Sequence, residues 1–319
     1  MNIFHNLEEV SFQKNTIVTI GTFDGVHLGH KLILNKLIEE TKSNGYRNFV
    51  ITFEPHPQII IQRQGKPEIK LLTTIKERLE LFDELGIENV LVIDFSNEFS
   101  KIEPEKFIED VLITKIGVSK VLIGYDHSFG KNRKGNYDLL KQFGDVNDFA
   151  VERVEPFYFQ DKIVSSTLIR SSLKEGKIQE ANSMLGFEYF VRGVVQYGRG
   201  MGMQLGYPTA NIKTGNIHKL LPANGVYIVY SFIDGTKYWG IANIGVRPTL
   251  TNDTKPTLEV YYLDFNDDLY NQELEVNLVD YIRNEKKFDN TDELVEQIKK
   301  DEKFTKKYLK NIRLSTLNY

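Results

Sequence analysis

Short apolar runs recur along the first half of the chain, separated by intervals long enough for a helix. They cover residues 16–20, 49–53, 90–95 and 121–124. Their length and their content of Val, Ile and Phe predict buried β-strands.

Helical periodicity fills the intervals between these strands. Apolar residues at 33, 34, 37 and 38 form one face, and those at 75, 79 and 82 form a second face that ends at Gly86, a suitable C-terminal cap. A third helix is predicted to begin at Pro104, since proline is tolerated in a first helical turn. This alternation of strand and helix predicts an α/β domain with a doubly wound parallel sheet.

The second half of the chain has a different pattern. Residues 191–196, 227–233, 237–243 and 258–265 have the composition of strands, and Asp234-Gly235 is typical of a tight hairpin turn. We therefore predict a small antiparallel β-barrel, followed by an amphipathic terminal helix over 291–309. The predicted domains are 1–186 and 187–319, with a short helical stretch over 166–185 joining them.

Composition narrows the classes of function. The chain has 319 residues, of which 41% are hydrophobic and 26% charged, and this favours two globular domains. A net charge of −4 argues against a nucleic-acid-binding protein. The absence of cysteine excludes disulfides and thiolate chemistry. No secretory signal and no run of about eighteen apolar residues is found, so we expect a soluble cytoplasmic protein without membrane contact.

The first strand leads into Gly21-Thr22-Phe23-Asp24-Gly25-Val26-His27-Leu28-Gly29-His30. Glycines after a first parallel strand let the backbone approach a phosphate, and a helix start supplies free N–H donors. His27 and His30 share one helical face and could stabilise charge on the phosphates of ATP. A structural pair of histidines and a zinc site are the alternatives; zinc is disfavoured because only Asp24 is near as a further ligand.

This segment resembles the signature of the bifunctional prokaryotic riboflavin kinase/FAD synthetase family, within the nucleotidylyltransferase superfamily. Three further stretches are similar to its other adenylyltransferase motifs. They are Phe53-Glu54-Pro55-His56-Pro57, Gly124-Tyr125-Asp126-His127-Ser128-Phe129-Gly130 and Ser165-Ser166-Thr167-Leu168-Ile169-Arg170. Glu54 stands where the family usually has aspartate, and His127-Ser128 replace a more usual aromatic-basic pair.

The resemblance implies roles for residues of the first half. Ser166, Thr167 and Arg170 would close on ATP, with the Arg170 guanidinium acting in catalysis on phosphate oxygens; from the residues alone, the hydroxyl run is an ordinary helix cap. Flavin contacts fall on Asp126 and Pro57. The expected ATP-binding residues of this half are Gly21, Phe23, Asp24, Gly25, His27, Gly29, His30, Ser166, Thr167 and Arg170.

The second half carries a glycine-rich segment, residues 198–211, that ends in Gly206-Tyr207-Pro208-Thr209-Ala210-Asn211. No Gly-Lys-Ser/Thr follows, so it is not a P-loop. Gly198 and Gly202 are expected to lie over ATP phosphates. Thr209 and Asn211 offer only oxygen ligands, which suits Mg²⁺ that keeps several waters and the ATP phosphates as further ligands.

This segment resembles the riboflavin kinase signature, and Asn243-Ile244-Gly245-Val246-Arg247-Pro248-Thr249 resembles its companion motif. The resemblance implies that Glu259 is the general base, although strand periodicity alone would make it a solvated residue. It also implies flavin contacts for Tyr207 and Arg283, the latter together with the terminal helix. Met203 stands where many relatives carry a basic residue.

The two motif sets together predict a bifunctional enzyme that uses ATP twice, first to phosphorylate riboflavin to FMN and then to adenylylate FMN to FAD. One alternative is an adenylyltransferase for another phosphorylated cofactor, because His-x-Gly-His is shared across the superfamily and with some aminoacyl-tRNA synthetases. A flavin-binding protein without turnover is the non-enzymatic alternative. The C-terminal motifs and the retained Glu259, Thr209 and Asn211 favour the bifunctional enzyme.

Overall fold

The computed structural model describes residues 1–62, 65, 67–198, 200–246 and 256–316. The chain divides into two compact units, Met1–Ser166 and Thr167–Tyr319. The two units differ in kind, because the first is built on a parallel sheet and the second on an antiparallel barrel.

The first unit contains a six-stranded sheet in the order β1-β4-β3-β2-β5-β6, in which every neighbouring pair is parallel. Its strands are β1 (Asn2–Phe4), β2 (Thr16–Ile20), β3 (Arg47–Glu54), β4 (Asn89–Asp94), β5 (Val118–Gly124) and β6 (Ala150–Val154). A short hairpin follows, made by β7 (Tyr158–Phe159) and β8 (Lys162–Ile163).

Helices cover both faces of this sheet. They are α1 (Leu28–Asn44), α2 (Pro57–Ile60), α3 (Ile75–Leu85), α4 (Pro104–Phe107) and α5 (Tyr137–Asn147). Ile17, Val50 and Leu122 pack with α1 and α3 in one core. The alternate strand residues, such as Val18 and Ile51, pack with the segment after α4 and with α5 in a second core. The predicted doubly wound sheet is therefore confirmed.

The third predicted helix has a different geometry from the one expected. It begins at Pro104 as predicted, but from Ile108 to Ile116 it continues as a π-helix and ends at Gly117, whose φ is 81°. Val111, Leu112 and Ile116 are still buried in this wider turn. The spacing of apolar residues identified the helix but could not distinguish an α-helix from a π-helix. Either helix brings these residues to one side.

The second unit contains a closed six-stranded barrel in the order β10-β13-β12-β11-β14-β9, with every pair antiparallel. Its strands are β9 (Phe190–Gln196), β10 (Ala210–Lys213), β11 (Gly225–Ile233), β12 (Thr236–Val246), β13 (Pro256–Tyr262) and β14 (Glu273–Arg283). Ile233 pairs with Thr236, so Asp234 and Gly235 form the predicted two-residue turn, and both have positive φ.

The described residues around the barrel also form helices. They are α6 (Ser166–Lys174), α7 (Ile178–Leu185), α8 (Met201–Gln204) and α9 (Thr291–Thr316). Helix α9 extends beyond the predicted 291–309. A bidentate ion pair between Arg283 of β14 and Asp301 of α9 joins this helix to the barrel. Arg283 Nη2 donates to Asp301 Oδ2 at 2.7 Å, and Arg283 Nε lies 3.0 Å from both carboxylate oxygens.

The compact units part at Ser166, ahead of the predicted boundary at Gly186, and α7 is attached to the barrel by hydrogen bonds. The side chain of Asn182 donates to the carbonyl of Leu278 at 2.9 Å and accepts from the N–H of Tyr189 at 2.8 Å. Most apolar residues of α6 and α7 are also buried; these are Ile169, Leu173, Ile178, Ala181, Met184 and Leu185.

We predict that a fragment of residues 167–319 has a higher melting temperature than a fragment of residues 187–319. Each buried aliphatic side chain contributes about 1.5–3 kcal/mol, and the shorter fragment leaves the barrel surface that α7 covers open to water. Thermal unfolding followed by circular dichroism measures the difference. Equal melting temperatures would show that α6 and α7 add nothing to the stability of the barrel.

Candidate active sites

The candidate residues of the first unit lie at the carboxyl ends of its parallel strands. Strand β2 has β3 on one side and β5 on the other. The chain continues through β3 and β4 in one direction from β2, and through β5 and β6 in the other. The switch point is thus between β2 and β5, and ligands of open α/β sheets bind in the crevice at such a point.

The loop after β2 makes a tight turn with an unusual backbone. Phe23, Gly25 and Val26 all have positive φ, of 47°, 88° and 38°. The N–H of Val26 donates to the carbonyl of Phe23 at 2.9 Å. Positive φ at residues other than glycine costs of order 1–3 kcal/mol, so neighbouring contacts must hold the loop in place.

Asp24 supplies those contacts. Its carboxylate is fully buried and accepts hydrogen bonds from the backbone N–H groups of Leu72 at 3.1 Å and Thr73 at 2.9 Å. The hydroxyl of Thr73 also lies 3.2 Å from Asp24 and accepts from the N–H of Gly25 at 2.9 Å. The carboxylate expected to bind ATP therefore holds the loop against the segment before α3.

The two signature histidines lie at the start of α1 with their rings stacked. The ring centroids of His27 and His30 are 3.6 Å apart. His27 is buried and caps the helix, since its Nδ1 accepts from the N–H of His30 at 3.3 Å. A ring nitrogen that accepts carries no proton, so a neutral His27 has its proton on Nε2. Gly29 permits this packing, because a Cβ there would lie 3.2 Å from His27 Nδ1.

The other expected ligand-binding residues of the first half lie on different elements of the fold. Ser166 donates from its hydroxyl to the backbone carbonyl of Asp24 at 2.8 Å, so it supports the signature loop. Thr167 is exposed and Arg170 is half-buried on α6, in the second compact unit. Pro57 is the first residue of α2, after β3.

The loop after β5 holds Asp126 and His127. Asp126 is exposed. The Nε2 atom of His127 is buried without a hydrogen-bond partner among the residues that the structure describes, and the ring stacks on Phe129 with the centroids 5.7 Å apart. Burial lowers the pKa of His127 to about 4, while the charge of Asp126 acts in the opposite direction. His127 is therefore neutral at physiological pH.

In the second unit, the candidate kinase residues form a row across three strands. Asn211 of β10 is paired with Glu259 of β13, and Glu259 is paired with Asn243 of β12. Directly paired residues point to the same face of a sheet, with Cβ atoms about 5 Å apart. Leu258 and Val260, on either side of Glu259, are buried in the barrel. The row thus lies on the outer face, where substrate can approach.

Two of the predicted glycines let the polar segment come close to this row. A Cβ at Gly198 would overlap the side chain of Asn211, and one at Gly202 would overlap the carbonyl of Tyr207 and lie 3.3 Å from Thr209 Oγ1. Tyr207 packs edge to face on Tyr261, with the ring centroids 5.2 Å apart. The glycine-rich segment and the strand row therefore form one surface.

The remaining kinase predictions concern Arg283, the glycine-rich segment and the companion motif. Arg283, expected to contact flavin, uses its guanidinium on Asp301 and on the backbone carbonyl of Asn284, so its observed contacts are structural. Arg199 of the glycine-rich segment and Arg247-Pro248-Thr249 of the companion motif lie outside the described residues.

Two polar residues near this row had no predicted role: Asn243, which is paired with Glu259, and Glu285, which contacts Asn243. Asn243 was part of a quoted motif without a role of its own, and its amide donates to Glu285 Oε1 at 3.5 Å. A Cβ at Gly245 would overlap the Glu285 carboxylate, so this glycine is needed for the approach. Gly245, two residues after Asn243 in the motif, was an available signal for Asn243, whereas Glu285 carries no local signal because only the fold brings it to Gly245.

Two features are absent from the described part of the chain. No group of three His, Asp or Glu side chains lies close enough together to hold a metal ion. No helix there has both the length and the apolar character needed to cross a membrane.

Known protein families match both units. The FAD synthetase family matches residues 9–168, and the riboflavin kinase family matches residues 185–309. The bifunctional riboflavin kinase/FMN adenylyltransferase of Buchnera aphidicola subsp. Schizaphis graminum is 40% identical, with 95% of this chain and 96% of that protein covered. The proteins of the same name from Bacillus subtilis and Escherichia coli are 34% and 35% identical, with 93% or more of each chain covered.

A solved structure has the same fold over nearly the whole chain. It is the crystal structure of a Streptococcus pneumoniae protein named as a macrolide-efflux protein, which is 30% identical with a TM-score of 0.86. The match covers 96% of this chain and 98% of that one.

Proposed function

The chain belongs to the bifunctional riboflavin kinase/FMN adenylyltransferase family, and we propose that its two reactions take place at the two separate sites described above. It phosphorylates riboflavin to FMN with ATP and then adenylylates FMN with ATP to give FAD. We assign adenylyl transfer to residues 1–186 and riboflavin phosphorylation to residues 187–319. The two family matches, which end and begin at residues 168 and 185, support this division.

Adenylyl transfer is assigned to the crevice between β2 and β5. A phosphate oxygen of FMN attacks the α-phosphorus of ATP, and the bond to the leaving pyrophosphate breaks. His27 and His30 donate hydrogen bonds to the phosphate oxygens, where negative charge grows in the transition state. The observation that carries this assignment is the cap: His27 Nδ1 accepts the backbone N–H of His30, so a neutral imidazole has its proton on Nε2 and is a hydrogen-bond donor there.

The supporting residues of this site have distinct roles in the proposal. Gly21, Gly25 and Gly29 allow the backbone to approach the triphosphate, and Phe23 packs edge to face on His30 with the ring centroids 5.2 Å apart. Asp24 and Ser166 hold the loop through their hydrogen bonds, and both remain in the proposed set of ATP-binding residues.

The remaining contacts of adenylyl transfer are assigned by resemblance alone. Thr167 and Arg170 bind ATP phosphates, and the Arg170 guanidinium stabilises the reacting phosphate. Asp126 and Pro57 contact the flavin.

Riboflavin phosphorylation is assigned to the outer face of the barrel. The terminal ribityl hydroxyl attacks the γ-phosphorus of ATP, its proton passes to Glu259, and ADP leaves. The observation that carries this assignment is the strand row, in which Glu259 lies directly between Asn211 and Asn243. Gly198 and Gly202 cover the phosphates, and Tyr207 contacts the flavin.

We include Mg²⁺ as the metal of the kinase reaction. The hydroxyl of Thr209 and the amide of Asn211 are hard oxygen donors beside a carboxylate, and Gly198 and Gly202 leave room around them that a side chain would fill. Thr209 and Asn211 hold the ion, which neutralises charge on the ATP phosphates when it is bound.

The proposal extends to the setting in which the enzyme works. We propose that its ligands are small molecules, without nucleic acid or membrane, and that it acts in the cytoplasm. The net charge of −4 and the absence of cysteine support this assignment.

Glu259→Gln is predicted to abolish riboflavin phosphorylation while FMN adenylylation continues at the native rate. Glutamine keeps the shape of the side chain but cannot accept the hydroxyl proton, and loss of a general base costs about a hundredfold or more. Separation of riboflavin, FMN and FAD after incubation with ATP and Mg²⁺ measures both rates. Glu273→Gln, at an exposed position of β14, is the control. Kinase turnover equal to that of this control would remove Glu259 from the mechanism.

His27→Asn tests the adenylyl site without removing the helix cap, because asparagine is itself a preferred cap. We expect FAD formation to fall about a hundredfold, as is typical when one preorganised donor to a developing charge is lost, while FMN formation is unchanged. His30→Ala should act similarly, and the double variant should lose less than the product of the single losses. His5→Ala, at an exposed position of the same unit, is the control. Native FAD formation by the folded double variant would contradict the assignment.

A further inference from the structure

A buried arginine lies beneath the adenylyl site and has no part in the mechanism so far. Arg78 of α3 is 0% exposed. Its Nη1 donates to Thr52 Oγ1 at 3.0 Å and to the carbonyl of Phe53 at 3.2 Å. Its Nε and Nη2 have no hydrogen-bond partner among the described residues. A buried cation that is only partly hydrogen-bonded is costly to the fold.

Packing alone does not account for this cation. Burial lowers the pKa of Arg78, and the carboxylates of Asp24, Glu54 and Glu77 act in the opposite direction. Hydrophobic residues of similar volume often replace a buried ion pair without loss of stability. We therefore look for a role of the Arg78 guanidinium at the adenylyl site.

Thr52 connects Arg78 to the signature loop. Thr52 is also 0% exposed, and its hydroxyl donates to the carbonyl of Thr22 at 3.3 Å while it accepts from Arg78. A hydroxyl has one hydrogen and two lone pairs, so both bonds form together. Thr22 comes directly before Phe23, the first residue of positive φ in the loop. The contacts thus run from the buried cation to the start of the turn.

We propose that Arg78 and Thr52 are positioning residues for adenylyl transfer: through the Thr22 carbonyl they hold the turn that carries His27. The Asp24 carboxylate fixes the same turn from its other side, by way of Leu72 and Thr73. With both ends held, the two histidines keep the spacing that the reacting phosphates need. The proposal rests on the assignment of adenylyl transfer to this unit.

Thr52→Val tests the connection and preserves side-chain volume and β-branching. The valine breaks both hydrogen bonds, so we expect kcat for FAD formation to fall about tenfold, the loss typical of one hydrogen bond to a group that acts only in the transition state. The KM values for ATP and FMN should stay close to native, because the substrates still bind. FMN formation by the same protein should be unchanged.

Thr19→Val is the matched control. Thr19 lies on the neighbouring strand β2, is 1% exposed, and its hydroxyl has no hydrogen-bond partner among the described residues. The Thr19→Val variant loses a buried hydroxyl but keeps the hydrogen bonds that join Arg78, Thr52 and Thr22. It should therefore form FAD at the native rate. Equal kcat for the two valine variants, whether native or reduced, overturns the proposal.

Arg78→Lys and Arg78→Met give a second test on the full-length protein. Lysine keeps the charge and one donor towards Thr52, so it should retain more FAD formation than methionine at the same folded fraction. An equal loss of FAD formation in both variants overturns the role of the cation. If the methionine variant does not fold, the comparison of Thr52→Val with Thr19→Val tests the proposal instead. Native FAD formation by His27→Asn would instead remove the adenylyl assignment itself, so the two failures are distinguishable.

Discussion

The buried carboxylate of Asp24 is the interaction on which the adenylyl site depends. A fully buried carboxylate must find hydrogen-bond donors, and Asp24 finds them in the backbone of Leu72 and Thr73. This fixes a turn whose positive φ values would otherwise be unfavourable, and the turn delivers His27 to the start of α1. Asp24 thus acts on the backbone of the signature loop, and the loop places His27 and His30 at the start of α1, where we propose that they bind the phosphates.

The kinase site depends on a different constraint, the register of the barrel. Glu259 has Asn211 on one side and Asn243 on the other only because β10, β13 and β12 pair in this register. A slip of one residue would turn Glu259 into the barrel and bring Leu258 or Val260 to the surface. The buried neighbours of Glu259 therefore set the position of this proposed base as firmly as its polar neighbours do.

Much of this arrangement could be predicted from the sequence, because the signals were local. Residues 16–20 were predicted as a strand and form β2, and Asp234-Gly235 was predicted as a turn and forms one. The protein contacts of Asp24 and Arg283 could not be predicted from the sequence. The partner of Asp24, Thr73, is distant along the chain, and the partner of Arg283, Asp301, belongs to no motif. A motif identifies a charged residue but not whether the fold turns it towards ligand or towards backbone.

The central claim is that each reaction has its own site, so that loss of one site leaves the other working. Mixing the Glu259→Gln and His27→Asn proteins with riboflavin, ATP and Mg²⁺ tests it most directly. Each variant alone should form only traces of FAD from riboflavin, the first because it makes no FMN and the second because it leaves FMN unconverted. The mixture should form FAD at a rate well above the sum of the two. A mixture no better than its separate components would contradict the account.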